Sequence, residues 1–124
     1  YNSNPGSLKA SLEMLQGLET ANKKAVCLGD MLELGENEAA FHASIADSID
    51  FSTFDHVLLF GPLMKNLHEN IISQQKNSEW YADREALLER LKQIMKENTV
   101  VLFKASNGLK FMDLIKQLEE FYEH

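Results

Sequence analysis

Apolar residues recur along the chain at two alternating spacings. Leu8, Leu12, Leu15 and Leu18 repeat at helical intervals after Asn4-Pro5, a good cap followed by a residue suited to the first helical position. The pattern fades over Glu19 to Lys24. Ala25-Val26-Cys27-Leu28 is then a short apolar run between lysines and Gly29-Asp30, and it predicts a buried strand. Asn37 can cap a second helix, with Glu38 in its first turn and Phe41, Ile45 and Ile49 inward. His56-Val57-Leu58-Leu59-Phe60 predicts another strand, closed by Gly61-Pro62, and Leu63, Met64, Leu67 and Ile71 carry a helix from there to about Ser73. Glu79 to Ala82 predicts a short strand on the strength of Trp80 and Tyr81. Asp83 caps a helix with Leu87, Leu91 and Ile94 inward. Thr99-Val100-Val101-Leu102-Phe103 predicts a further strand, and Phe111, Leu114, Ile115, Leu118 and Tyr122 line a final helix.

Strands alternating with helices predict right-handed crossovers and a mainly parallel sheet with helices on both faces, a Rossmann-like three-layer α/β sandwich. The 124 residues suffice for one domain with a single sizeable core. The chain opens without Met on a polar loop, Tyr1-Asn2-Ser3-Asn4, of the kind that follows a strand. We therefore expect a fragment of a longer protein.

Composition narrows the classes. With 44% hydrophobic and 25% charged residues the chain resembles an ordinary soluble globular protein. A formal net charge of −7, with twelve basic residues in no run or stripe, argues against a nucleic-acid partner. No signal peptide and no membrane-length apolar stretch is present, so a cytoplasmic location without a membrane partner is expected. The lone cysteine, Cys27, lies mid-strand among apolar neighbours and reads as a small buried hydrophobe rather than a nucleophile.

Candidate chemistry sits in three polar loops: Tyr1 to Asn4, Asp30 to Gly35, and Lys104 to Gly108. Strand direction should gather them at the carboxyl end of the sheet, where open parallel sheets bind ligands. No G-x-x-x-x-G-K-[ST] or G-x-G-x-x-G loop occurs, no Cys and His have zinc spacing, and no Ser-His-Asp order suggests a triad. Asp30 can take a ligand or simply cap backbone N–H groups in its loop. Lys104, after five apolar residues and before Ala105-Ser106-Asn107-Gly108, is a good anion contact, and the helix that follows favours an anion at its start. Ser106 and Asn107 can equally be that helix's cap. Taken alone, Asn4 reads more simply as a helix cap than as a ligand contact, and His42 as a partly buried structural residue. Trp80 and Tyr81 read as core rather than stacking platform.

These loops resemble those of the Mur ligases. Tyr1-Asn2-Ser3-Asn4-Pro5-Gly6-Ser7-Leu8 is similar to the family's Y-N-A-N-P-x-S-M stretch. Leu28-Gly29-Asp30-Met31-Leu32-Glu33-Leu34-Gly35, with His42 downstream, is similar to the L-G-D-M-L-E-L-G…H stretch of one branch, and Gly61-Pro62-Leu63-Met64 and Lys104-Ala105-Ser106-Asn107 fit its G-x-x-M and K-G-S-N segments. The resemblance spans the whole chain and implies the C-terminal domain of a three-domain enzyme. That enzyme uses ATP and Mg2+ to join D-alanyl-D-alanine to a UDP-N-acetylmuramoyl-tripeptide through an acyl phosphate. The phosphate loop, metal ligands and nucleotide-sugar pocket would belong to the absent N-terminal and central domains, leaving this fragment inactive alone and without catalytic or metal-binding residues of its own. The resemblance further implies ATP contacts from Tyr1, Asn2, Asn4 and Asp30, and dipeptide contacts from Lys104, Ser106 and Asn107. Glu33 and His42 would support the loop, and the enzyme is expected to be a monomer. Ala105 departs from the expected glycine, which matters if that position needs positive φ. The rival readings are another Mur-type amide ligase, such as one adding glutamate to folate, and a non-enzymatic flavodoxin-like binding module.

Overall fold

The computed structural model describes residues 5–19, 22–30, 38–105 and 108–123, and the side chains of 8–19, 22–30, 40–105 and 112–120. In chain order the elements are α1 (Pro5–Gly17), β1 (Lys23–Gly29), α2 (Glu38–Ser44) with a 3-10 turn (Ile45–Ser48), β2 (His56–Phe60), α3 (Met64–Ser73), β3 (Glu79–Tyr81), α4 (Arg84–Met95), β4 (Thr99–Lys104) and α5 (Gly108–Glu123). The strands form one sheet in the order β3-β2-β1-β4, and every neighbouring pair is parallel. The α/β architecture expected from the alternation is therefore present, with a sheet wholly rather than mainly parallel.

Strand periodicity assigns the two faces. Val26, Leu28, Val57 and Leu59 point to one side and form a core with Leu8, Leu12 and Leu15 of α1, Ile45 after α2, and Met64, Leu67 and Ile71 of α3. Ala25, Cys27 and Leu58 point to the other, against Leu87, Leu91 and Ile94 of α4 and Leu114 and Leu118 of α5. The chain steps from β1 through β2 to β3 with its helices on the first face. It then crosses back beneath the second face to reach β4, as a single crossover handedness requires. The reversal of strand order falls between β1 and β4.

Local departures have local causes. β1 begins at Lys23 rather than Ala25 because Lys23 and Lys24 pair with Thr99 and Val100 of β4. Leu18, placed on the buried face of α1 by its spacing, is 46% exposed: the helix ends at Gly17 and the stripe ends with it. The second helix tightens to 3-10 geometry at Ile45, where Ser44 Oγ donates back to Phe41 O at 2.7 Å. Asp83 caps α4 as expected, its carboxylate accepting the Glu85 N–H at 3.2 Å. Trp80 packs on the first core and Tyr81 on the second, so both are core residues of the edge strand. The caps expected at Asn4 and Asn37 lie outside the described residues.

Candidate functional site

Parallel strands put all their carboxyl ends at one edge. That edge carries Asp30 after β1, Gly61 after β2 and Lys104 at the end of β4. Leu28 is in register with Lys104 on one side and with Leu59 on the other, so Asp30 and Lys104 leave adjacent strands on either side of the reversal in strand order. This is where an open parallel sheet forms its crevice. Of the residues expected at the site, Asp30, Lys104 and His42 are described. Tyr1, Asn2, Asn4, Glu33, Ser106 and Asn107 lie outside the described residues.

The Asp30 carboxylate is half-buried. It reaches across to the start of α3, where Oδ2 accepts the Leu63 N–H at 3.2 Å and Oδ1 accepts the Met64 N–H at 2.9 Å. Gly61 sits against the same carboxylate with φ +112°, and a Cβ there would stand 2.6 Å from Oδ1. Its N–H donates to Tyr81 O at 3.2 Å, and its carbonyl accepts the Trp80 indole N–H at 2.8 Å. Lys65 Nζ lies 5.6 Å from the centre of the Trp80 ring. The roles of Gly61 and Trp80 here were missed in the sequence. One signal was present: Gly61-Pro62-Leu63-Met64 opens a helix with no Ser, Thr, Asp or Asn to cap it.

Lys104 is half-buried, and among the described residues no carboxylate lies within ion-pair distance of its ammonium. Ala105 packs into the second core at 7% exposure. Among the described residues only Gln75 and Asn98 combine positive φ with a side chain, so alanine at 105 meets no glycine-only conformation. His42 is fully buried in α2, edge-to-face with Phe41 at 5.6 Å between ring centres. Burial pushes the Cys27 thiol up, which fits an inert core residue. Among the described residues no three His, Cys, Asp or Glu gather as a metal site, and no helix is long and apolar enough to cross a membrane.

Two other polar regions contrast with this edge. On the outer strand, Arg90 Nε and Nη2 donate to the two Glu79 oxygens at 2.8 and 3.2 Å, and Tyr81 OH donates to Glu79 Oε1 at 2.6 Å. Desolvation raises the Glu79 pKa, but the hydrogen bonds from Arg90 and Tyr81 outweigh it and leave the carboxyl below its ordinary value. Burial, then the Glu79 hydrogen bond, pushes Tyr81 up to about 12. At the amino end of the sheet, Lys23 Nζ pairs with Glu97 Oε1 at 2.7 Å, and His56 Nε2 lies 3.6 Å from Glu97 Oε2. A cleft of about 350 Å³ also opens at that end, lined by Phe51, Phe54, Asp55, Val57 and Lys76 among others.

Comparison with known proteins agrees with the geometry. A family model described as "Mur ligase, glutamate ligase domain" matches residues 1–107. The UDP-N-acetylmuramoyl-tripeptide–D-alanyl-D-alanine ligase of Bacillus subtilis (strain 168) is 34% identical over 122 residues, covering 97% of this chain and 27% of that protein. A crystal structure of MurF from Acinetobacter baumannii superposes with a TM-score of 0.81 at 22% identity, over 97% of this chain and 27% of its own. MurF from Thermotoga maritima in complex with ADP superposes with a TM-score of 0.69 at 28% identity, over the same shares of the two chains. The chain thus spans about a quarter of the length of these relatives.

Proposed function

Because the chain belongs to the Mur ligase family, we propose that it is the third domain of a ligase that adds D-alanyl-D-alanine to a UDP-N-acetylmuramoyl-tripeptide in peptidoglycan synthesis. Similarity to the Bacillus subtilis ligase over nearly the whole chain supports this substrate pair, and the ADP complex of the Thermotoga maritima relative supports ATP as co-substrate. The observation that carries the reading is the shared carboxyl edge, with Asp30 and Lys104 on adjacent strands at the reversal of strand order.

ATP phosphorylates the terminal carboxylate of the tripeptide, giving an acyl phosphate and ADP. The dipeptide amine then attacks the acyl carbon. The C–N bond forms, the C–O bond to phosphate breaks, phosphate leaves, and the amine proton passes to solvent. The dipeptide's own carboxylate needs a cation and donors, and Lys104 with Ser106 and Asn107 supplies them. Holding that amine in register with the acyl phosphate is a large source of rate. Tyr1, Asn2, Asn4 and Asp30 serve the nucleotide side, with Glu33 and His42 supporting their loop.

Mg2+, which would neutralise phosphate charge when bound, is assigned to the central domain, as membership of the family implies. The nucleotide-sugar pocket is assigned to the N-terminal domain, and the whole enzyme to the cytoplasm as a monomer. The test is phosphate release by the full-length enzyme with ATP, UDP-N-acetylmuramoyl-tripeptide and D-alanyl-D-alanine. Release that depends on the dipeptide is expected. Turnover with glutamate on a folate acceptor, and none with the dipeptide, would overturn the reading. The 124-residue chain alone should turn over no ATP, and measurable turnover would show that it is no dependent domain.

A further inference from the structure

A helix begins with N–H groups that have no intrahelical acceptor, and most helices satisfy them with a polar side chain at their own cap. A Ser or Asn at position 63 would do this locally for α3. The chain carries Leu63 there, with no side-chain cap, and draws the acceptor from the end of β1 instead. The positive end of the helix favours the Asp30 carboxylate at that place. Gly61 is the counterpart: its φ of +112° suits glycine, and any Cβ would collide with the carboxylate. The Gly61 peptide groups are bonded in the other direction, to Tyr81 O and the Trp80 indole N–H. One turn therefore joins the exits of β1, β2 and β3. A local cap would have satisfied the helix without joining them.

Building on the ligase reading of this edge, we propose that Asp30 and Gly61 are positioning residues of the ligase reaction. The carboxylate, seated against a residue with no side chain and bonded to the Leu63 and Met64 N–H groups, ties the exit of β1 to the start of α3 at the edge that meets the nucleotide and acceptor.

The test is a double-mutant cycle in the full-length enzyme, joined to a spectroscopic readout in the chain. Asp30→Asn replaces one acceptor oxygen with an NH2 group that faces an N–H. It should lower kcat by at least about tenfold while leaving the KM for UDP-N-acetylmuramoyl-tripeptide within about twofold, as misplacement of reacting groups does. Gly61→Ala should do the same. Because its methyl and the carboxylate contest one space, Gly61→Ala should cost roughly threefold less in kcat when Asp30 is already Ala. In the 124-residue chain, whose one tryptophan is bonded to Gly61 O, Asp30→Asn should shift the Trp80 indole N–H resonance while far-ultraviolet circular dichroism is retained. Additive effects, an unchanged kcat or an unmoved Trp80 signal would each overturn the proposal. A wild-type enzyme that makes no product from the dipeptide overturns the ligase reading instead, and the Trp80 measurement then decides whether Asp30 and the Gly61 turn are coupled.

Discussion

The two ends of the sheet spend their charges differently. At the amino end Lys23 meets Glu97, with His56 beside them, and the Asp55 carboxylate accepts the Lys24 N–H at 2.9 Å. Side chains there pair with one another, or fasten one strand to the next. At the carboxyl end Asp30 is bonded to the backbone of a distant helix, and Lys104 has no carboxylate within ion-pair distance among the described residues. In the proposed function that Lys104 ammonium, at the reversal of strand order, is the group that receives the dipeptide's carboxylate. The amino end holds itself together, and a cleft opens there as well. Among the described residues, the two ends thus differ in what their charged groups are bonded to.

Breaking the shared core should blur this contrast most. Leu28 is fully buried, in register with Leu59 and Lys104, and Leu28→Ala should cost about 2–5 kcal/mol of stability in a denaturant titration. It would loosen the carboxyl end along with the fold. A loss under about 1 kcal/mol would mean that this core does not support that edge. Lys104→Ala should separate binding from stability. In the full-length enzyme it should raise the KM for D-alanyl-D-alanine roughly ten- to a hundredfold, the worth of a charged hydrogen bond, with little change in the KM for ATP or in melting temperature. A larger effect on ATP would move Lys104 to the nucleotide side.

Along the outer strand, Arg90→Ala should cost about 1 kcal/mol at neutral pH, since both partners are partly exposed and therefore screened. The pH dependence has a definite sign. Glu79 is held below its ordinary 4.5, so its contribution is present above that pH and is lost as pH falls through the lowered folded value. Tyr81 is raised from 10.0 to about 12, so its contribution is present below pH 10 and is lost as pH rises toward 12. Acid titration of Arg90→Ala should show a smaller loss than wild type, and alkaline titration of Tyr81→Phe likewise. Equal slopes would deny the cluster any such role. The smallest effect belongs to the amino end. Lys23 is well exposed, and Lys23→Ala should leave the melting temperature and both KM values unmoved at high salt.

Much of the fold was legible because it follows from burial. Ala25 to Leu28, His56 to Phe60 and Thr99 to Phe103 are apolar runs too short for helices, and each is a strand. Edge strand β3 was harder to read because its three residues are only half-buried and carry a charged pair outward. The 3-10 turn after Ser44 left no mark in the spacing of Ile45 and Ile49. At the site, the placement of Asp30 and Lys104 at one edge followed from strand direction alone. What Asp30 binds did not, because its partners stand 33 and 34 residues away and are backbone groups, which a sequence pattern does not display. The need for Gly61 was hidden for the same reason: it depends on a carboxylate brought by another strand.

The contrast between the two ends meets its most direct test in hydrogen exchange of the full-length enzyme, with D-alanyl-D-alanine added in the presence of ATP and UDP-N-acetylmuramoyl-tripeptide. The account predicts new protection of amides at Gly29 and Asp30 and at Lys104 and Ala105, with the amino end unchanged. Protection confined to Phe51 through Val57 and Gln75 through Asn77, around the cleft at the other end, would contradict it.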